Sequence, residues 1–234
     1  MRAKTLYRRH LSFRCLSATH RLIFNQVITE KSRRINIFSL LLIALLPYSL
    51  LMAKERIVSL SPNLTETIYL LKKENLLVGR SSACNYPQSA LKIPVAGDFD
   101  SPNLEKLILL KPTIMFATGF KDLSIKNAIE SAGIKVYILH SDSIQGYLDA
   151  LKFLGEKLDA SVEAKKEIEK VKQEISRFQQ KNALIPLDKK PKVFIEISSS
   201  PLITAGNKSF LNEYINLAGG INIAEKENKN YFRI

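Results

Sequence analysis

The chain has no tryptophan, two cysteines and three histidines in 234 residues. Cys15, His10 and His20 fall within the first 53 residues, so the remainder carries one thiol, Cys84, and one imidazole, His140. A single thiol excludes an internal disulfide framework, and Cys84 reads as a small, partly buried hydrophobe. One imidazole excludes a histidine-rich metal site, which needs several ligands at compatible spacing. His140, at the end of an apolar run, reads as a surface or capping residue rather than a ligand. Gly-rich phosphate loops, paired cysteines and nucleophile elbows are missing as well. The sequence therefore points to no catalytic residue, no metal and no cofactor, and away from an enzyme.

Acidic residues are scarce only at the start. Residues 1–53 hold nine Lys/Arg and one acid, Glu30, whereas residues 54–234 hold 26 basic and 21 acidic residues, so little of the formal +13 belongs to the body. The body lacks the concentrated positive stripe that phosphate binding requires, which argues against a nucleic-acid partner. Residues 1–53 read as a leader: Lys31, Arg33 and Arg34, an apolar run from Ile35 to Leu51, then Ala53 before the polar Lys54-Glu55. That is the arrangement of a secretory signal. The run, about 17 residues long and interrupted by Asn36 and Pro47, is at the short edge for a membrane span. Cleavage near Lys54 is expected, with a retained anchor as the alternative; no cysteine at the junction suggests a lipid anchor.

What is present is a body rich enough in apolar residues, 46% of the chain, for one large or two small folded units. From Arg56, short β-type runs alternate with helical periods. "RIVSL", "LLVG", "IPVAG", "TIMFA" and "KVYIL" read as strands, the second and third ended by glycine. "PNLTETIYLLKK" reads as a helix with Asn63 as N-cap and Glu66 in capping-box spacing. "NLEKLILL" reads as a helix stopped by Pro112, burying Leu104, Leu107, Ile108 and Leu110; "DLSIKNAIESAG" and "SIQGYLDALKFLGEKL" are helices too. Such alternation predicts crossover units and a mostly parallel sheet, residues 54–159, with ligand sites in the loops at the carboxyl ends of its strands. Residues 160–181 form a charged helix whose apolar Ala164, Ile168, Val171, Ile175 and Phe178 step by four, three, four and three. Its length of roughly 30 Å suits a strut crossing between domains. A Pro- and Lys-rich linker follows, and residues 190–234 start a second α/β unit with one strand, "VFIEI", and one helix from about Ser209, closed by Gly219-Gly220.

Five segments in this order, "RIVSLSPNLTETIYLL", "VGRSSACNYPQSA", "SPNLEKLILLKPTIMFA", "GIKVYILHSDSIQGYLDALKFLG" and "LITAGNKSFLNEYINLAGGINIA", resemble the periplasmic substrate-binding proteins of cobalamin and iron–siderophore ABC importers. The resemblance covers about 180 residues, from Arg56 to the end. It implies an α/β fold: a Rossmann-like N-terminal lobe, a long connecting helix and a second α/β lobe, incomplete here, with ligand held between the lobes. It also implies a periplasmic location and two partners, an ABC transporter permease and a small-molecule ligand of the cobalamin, ferric siderophore or haem class.

The resemblance extends unevenly to single residues. Phe99 falls where cobalamin binders carry an aromatic, but Ala83 and Thr118 stand where they carry others. Thr118 with Tyr86 and Phe120 would line one wall of the site. Ser198 to Pro201, including Ser199, and Thr204 to Gly206 would form the opposite wall. Glu105, in "NLE", matches a surface glutamate that docks on permease arginines; stabilisation of the helix N-terminus by an acid is the plainer role, and the two can coexist. An enzyme or cofactor-assembly protein of similar two-lobed fold is the alternative function class. Counted against the family's second lobe, the sequence is expected to be a C-terminally truncated receptor with weakened or lost ligand binding.

Overall fold

The computed structural model describes residues 54–234, so the expected signal segment, its cleavage point and Cys15 lie outside the described residues. The first lobe is a parallel sheet of five strands, β1 (Ile57–Ser59), β2 (Leu77–Ser81), β3 (Val95–Gly97), β4 (Ile114–Ala117) and β5 (Lys135–Ile138), in the order β3-β2-β1-β4-β5. Both central strands, β1 and β4, are buried along their whole length, as expected when helices cover both faces of a parallel sheet. Successive residues alternate between two cores. Ile57 and Phe116 pack with α1 (Pro62–Leu70) and α4 (Ile144–Lys157). Val58 and Met115 pack with α2 (Leu104–Leu110) and α3 (Leu123–Ser131). The chain order reverses between β1 and β4, and there the loops after the two strands part to leave a crevice.

Three local expectations change. Ser61, not Asn63, is the N-cap of α1, with Pro62 pre-setting the first helical residue; the capping box of Asn63 and Glu66 therefore does not form. β2 does not stop at Gly79 but runs through it, because a Cβ there would lie 2.9 Å from Leu110 and 3.0 Å from Val58. Glycine lets α2 settle onto the strand. In α2 itself only Leu107 is fully buried; Leu104, Ile108 and Leu109 are exposed, Leu109 by 80%. A seven-residue helix resting on β2 and the edge strand β3 has one narrow face to bury, and among the described residues no further layer covers the rest. Cys84 is fully buried, as part of a hydroxyl cluster with Thr65, 3.1 Å, and Ser81, 3.2 Å, rather than an apolar one.

The connecting helix α5 (Ser161–Ala183) extends slightly beyond the charged stripe. Ala164 is its one fully buried side chain, pressed against α4; Ile168, Val171 and Ile175 are half-buried along the same face. Gly155 of α4 faces Ala164, and a Cβ added at Gly155 would overlap the Ala164 methyl. At the other end the Asn182 amide donates to the Leu217 carbonyl, capping the last turn of α6 (Phe210–Leu217). Exposed pairs such as Glu167–Lys170, 3.2 Å, add little.

The second lobe has more strands than the single strand expected. "VFIEI" splits into β6 (Lys192–Val193), parallel to β9 (Ile221–Asn222), and β7 (Glu196–Ser199), antiparallel to β8 (Leu202–Ala205). β10 (Tyr231–Arg233) pairs with the other edge of β8. Polar groups do much of the interior bonding. The buried Asn222 amide donates to Ala205 O, 2.9 Å, and Asn212 Oδ1, 3.2 Å, joining β9 to β8 and α6. These bonds replace the missing apolar contacts: of the lobe's side chains, only Ala205 and Ile215 form a buried hydrophobic interior, with Thr204, Ser209, Asn212 and Asn222 beside them. One direct bond joins the lobes near the crevice: the Ile144 amide, first in α4, donates to Glu213 Oε2 of α6 at 2.7 Å. A carboxylate there satisfies a free helix-end donor and faces the positive end of the dipole.

Two outcomes follow for stability. Gly155→Ala should destabilise the protein by about 1–3 kcal/mol, because strain against Ala164 exceeds the helix-propensity gain of about 1 kcal/mol; urea unfolding checks this, and Ala164→Gly should recover part of the loss. Glu213→Ala should cost about 0.5–2 kcal/mol, in the range of a lost cap, and should accelerate hydrogen exchange at the Ile144 amide.

Candidate functional site

The crevice opens where the carboxyl ends of the first-lobe strands face the second lobe. The Ser61 and Thr118 hydroxyls meet at 2.9 Å across the gap between the β1 and β4 loops, and the Thr118 amide donates to Ser61 Oγ at 3.2 Å. This pairing employs the Ser61 hydroxyl, so that Ser61 holds the N-cap position of α1 without a side-chain capping bond. Next to it the Asn63 amide donates to the Ser141 hydroxyl, tying the start of α1 to the loop after β5. Gly146 lets α4 begin tightly under that loop, since a Cβ there would lie 2.8 Å from the His140 carbonyl. Ser143 caps α4 by accepting from the Gly146 amide at 2.9 Å.

The result is a cavity of about 630 Å³ between the lobes. The first lobe contributes Asn63, Phe99 and Thr118 and the run from His140 to Ser143, followed by Tyr147 of α4. The second lobe contributes Phe210 and Tyr214 of α6 and Tyr231 of β10. Phe210 and Tyr214 share a helix face at i, i+4 spacing, and their rings meet edge to face with centroids 6.0 Å apart. Aromatic side chains thus stand on both walls. Among the described residues no lysine or arginine lines it, and Asp142 is its acid. Burial first, and then the carboxylates of Glu167 and Glu66 with Tyr214 between them in effect, raise the Tyr147 phenol pKa. Burial and then Asp142 raise that of Tyr231. Both phenols keep their protons at neutral pH and can donate hydrogen bonds.

Of the residues proposed from sequence, the structure brings Phe99 and Thr118 together in this cavity. Tyr86 lies apart, 65% exposed, on a neighbouring hollow. Phe120 packs, half-buried, against the core on the α2–α3 side of the sheet. Ser199 is exposed at the end of β7, away from the cavity lining. Thr204 is fully buried and donates its hydroxyl to the Ile195 carbonyl at 2.8 Å. The β7–β8 hairpin turns Thr204 into the lobe interior, so α6 and β10 supply the second wall instead. Glu105 is exposed in the first turn of α2, whose N-cap Asn103 accepts from the Lys106 amide at 2.9 Å.

His140, read from sequence as a surface or capping residue, is exposed but lines the cavity. Tyr147, Phe210, Tyr214 and Tyr231 were not singled out by sequence. Tyr147 and Phe210 carried a usable signal, since they sit in the first turns of helices that follow strand-end loops, and Tyr214 lies one turn beyond Phe210 on the same face. Tyr231 carried none, because its place depends on β10 returning to β8. Among the described residues no group of three or more His, Cys, Asp or Glu side chains is arranged to hold a metal ion.

The chain is 31% identical over 175 residues to an uncharacterized ABC transporter substrate-binding lipoprotein of Bacillus subtilis, an alignment covering 73% of this chain and 55% of the relative. It is 28% identical over 185 residues to the vitamin B12-binding protein of Photorhabdus laumondii, covering 79% of this chain and 66% of that protein. The chain thus spans between about half and two thirds of the length of these curated relatives. Among solved structures, the periplasmic heme binding protein HutB of Vibrio cholerae superposes with a TM-score of 0.69 at 27% identity, covering 78% of this chain and 70% of that one. A family model described as periplasmic binding protein matches residues 57–234, and with that match the two lobes, the connecting helix and the cavity between them have one explanation: the chain belongs to the periplasmic binding protein family.

Proposed function

We propose that the chain is the non-catalytic solute receptor of an ABC importer, working in the periplasm and holding its solute in the cavity between the lobes. The solute we assign is a metallo-tetrapyrrole, of the corrinoid or haem class. The observation that carries this assignment is the aromatic lining on both walls, Phe99 and Tyr147 facing Phe210, Tyr214 and Tyr231. Broad apolar rings suit a flat macrocycle, and about 630 Å³ falls within the usual range for small-molecule sites. His140 on the same wall offers an imidazole nitrogen, a common ligand of haem iron. A lining with Asp142 and without lysine or arginine disfavours a strongly anionic ferric chelate. The names of similar proteins, vitamin B12-binding and heme-binding, support the same class.

Delivery would use the exposed face of the first lobe at Glu105. An exposed acid orients and steers a basic partner surface more than it adds affinity, which suits a receptor that docks on a permease and leaves again.

Absorbance titration of the purified protein with haemin, cyanocobalamin and a ferric hydroxamate checks the solute class. Saturable binding of a tetrapyrrole and not of the hydroxamate is expected, with Phe99→Ala weakening it about 5- to 50-fold, a loss of roughly 1–2.3 kcal/mol. Preference for the hydroxamate, or no effect of Phe99→Ala, would overturn the assignment. Glu105→Lys should lower solute transfer to the reconstituted importer while changing stability by no more than about 0.5 kcal/mol and leaving solute affinity unaltered; lost affinity would instead tie Glu105 to the cleft.

A further inference from the structure

A second hollow, of about 420 Å³, lies beside the main cavity, and Asn63 and Tyr147 line both. Its wall is made by α1, the Tyr86-Pro87 segment after β2, Tyr147 of α4 and the second turn of α5. Three tyrosines, Tyr69, Tyr86 and Tyr147, share it with two carboxylates, Glu66 and Glu167, which come from different helices. Among the described residues no lysine or arginine lines this hollow either.

Glu66 is available because Ser61, not Asn63, begins α1, so no capping box engages its carboxylate. Glu167 meets Lys170 at 3.2 Å, but the lysine side chain is 69% exposed, and an exposed pair of this kind is weak and easily exchanged. The Tyr147 ring is shared by the two hollows, and its phenol pKa is raised by burial first and then by Glu167, Tyr214 and Glu66.

We propose that this hollow is a side subsite next to the cleft that takes a small alkylammonium compound, distinct from the tetrapyrrole, between the Tyr69, Tyr86 and Tyr147 rings with its charge opposite Glu66 and Glu167. The assignment stands apart from the solute read for the main cavity, because neither haem nor a corrinoid carries an alkylammonium group. An organic cation fits this chemistry because the negative faces of aromatic rings attract a weakly hydrated cation. A hard metal ion does not, since calcium takes six to eight oxygen ligands and only two carboxylates are present. An anionic group would meet two like charges.

The test uses choline as the ammonium probe and 3,3-dimethylbutan-1-ol as its uncharged counterpart, with NMR of ring-labelled tyrosines assigned by Tyr→Phe variants. Choline should produce saturable shifts at Tyr69, Tyr86 and Tyr147. The neutral alcohol should bind at least about tenfold more weakly, and the Glu66→Gln/Glu167→Gln double variant should lose at least about tenfold in choline affinity, each corresponding to about 1.4 kcal/mol. Equal response to the neutral alcohol, unchanged choline affinity in the double variant, or shifts confined to Tyr214 and Tyr231 would overturn the subsite. The haemin titration, run on the wild-type protein and the double variant, separates the two readings. Absence of haemin binding to the wild-type protein with the choline response intact counts against the cleft's solute alone, whereas haemin binding without a choline response sinks the side subsite alone.

Discussion

The close approach of α4 to α5, glycine against alanine, is the contact on which the rest of the molecule depends. Gly155 and Ala164 bring two helix backbones together with no side chain between them, and α5 starts only four residues after α4 ends. A helix of 23 residues clamped at its first turn carries that alignment along its whole length. At the far end, Asn182 hands the alignment to α6 through the Leu217 carbonyl. The placement of Phe210 and Tyr214 on the second wall is therefore a consequence of a small-residue contact on the opposite end of the strut.

The two lobes are held by different physics. The first has a largely apolar sheet interior, with Ile57, Val58 and all of β4 packed on its two faces, and helix capping trims the ends. The second substitutes directional bonds for apolar area, with Asn222, Asn212, Ser209 and Thr204 satisfied inside it. Buried polar groups add stability only when every partner is present, so this lobe is specific in geometry while remaining thin in hydrophobic contacts. Phe194, Ile197 and Ile223 stay 42–56% exposed on it. The bond from Ile144 to Glu213 is where the two kinds of construction meet, beside the cleft.

Charge is distributed to match. The main cavity and the hollow beside it have acids and phenols but no lysine or arginine in their linings, even though the described residues are basic overall. Burial raises the pKa of Tyr147 and Tyr231, and neighbouring carboxylates reinforce it. Such linings present hydrogen-bond donors and ring faces rather than fixed positive charge.

Local periodicity determined the first lobe and the strut. Alternating short apolar runs and helical periods specify parallel strands and covering helices, because burying both faces of a strand demands an unbroken apolar run and burying one face of a helix demands steps of three and four. Phe99 and Thr118 came from the resemblance to a known family rather than from periodicity, and both line the cavity. Tertiary structure decided what periodicity could not carry. Ser61 gave its hydroxyl to Thr118 and so displaced the expected cap at Asn63; "VFIEI" divided between two sheets because its partners β8 and β9 lie on different sides of α6 in the chain. Thr204 went inside because β8 is the middle strand of its sheet, while Tyr231 reached the cavity because β10 returned to that strand's edge. Pairing between strands far apart in sequence leaves no local signature, since each strand's own pattern is compatible with several partners and only mutual burial and hydrogen bonding select one.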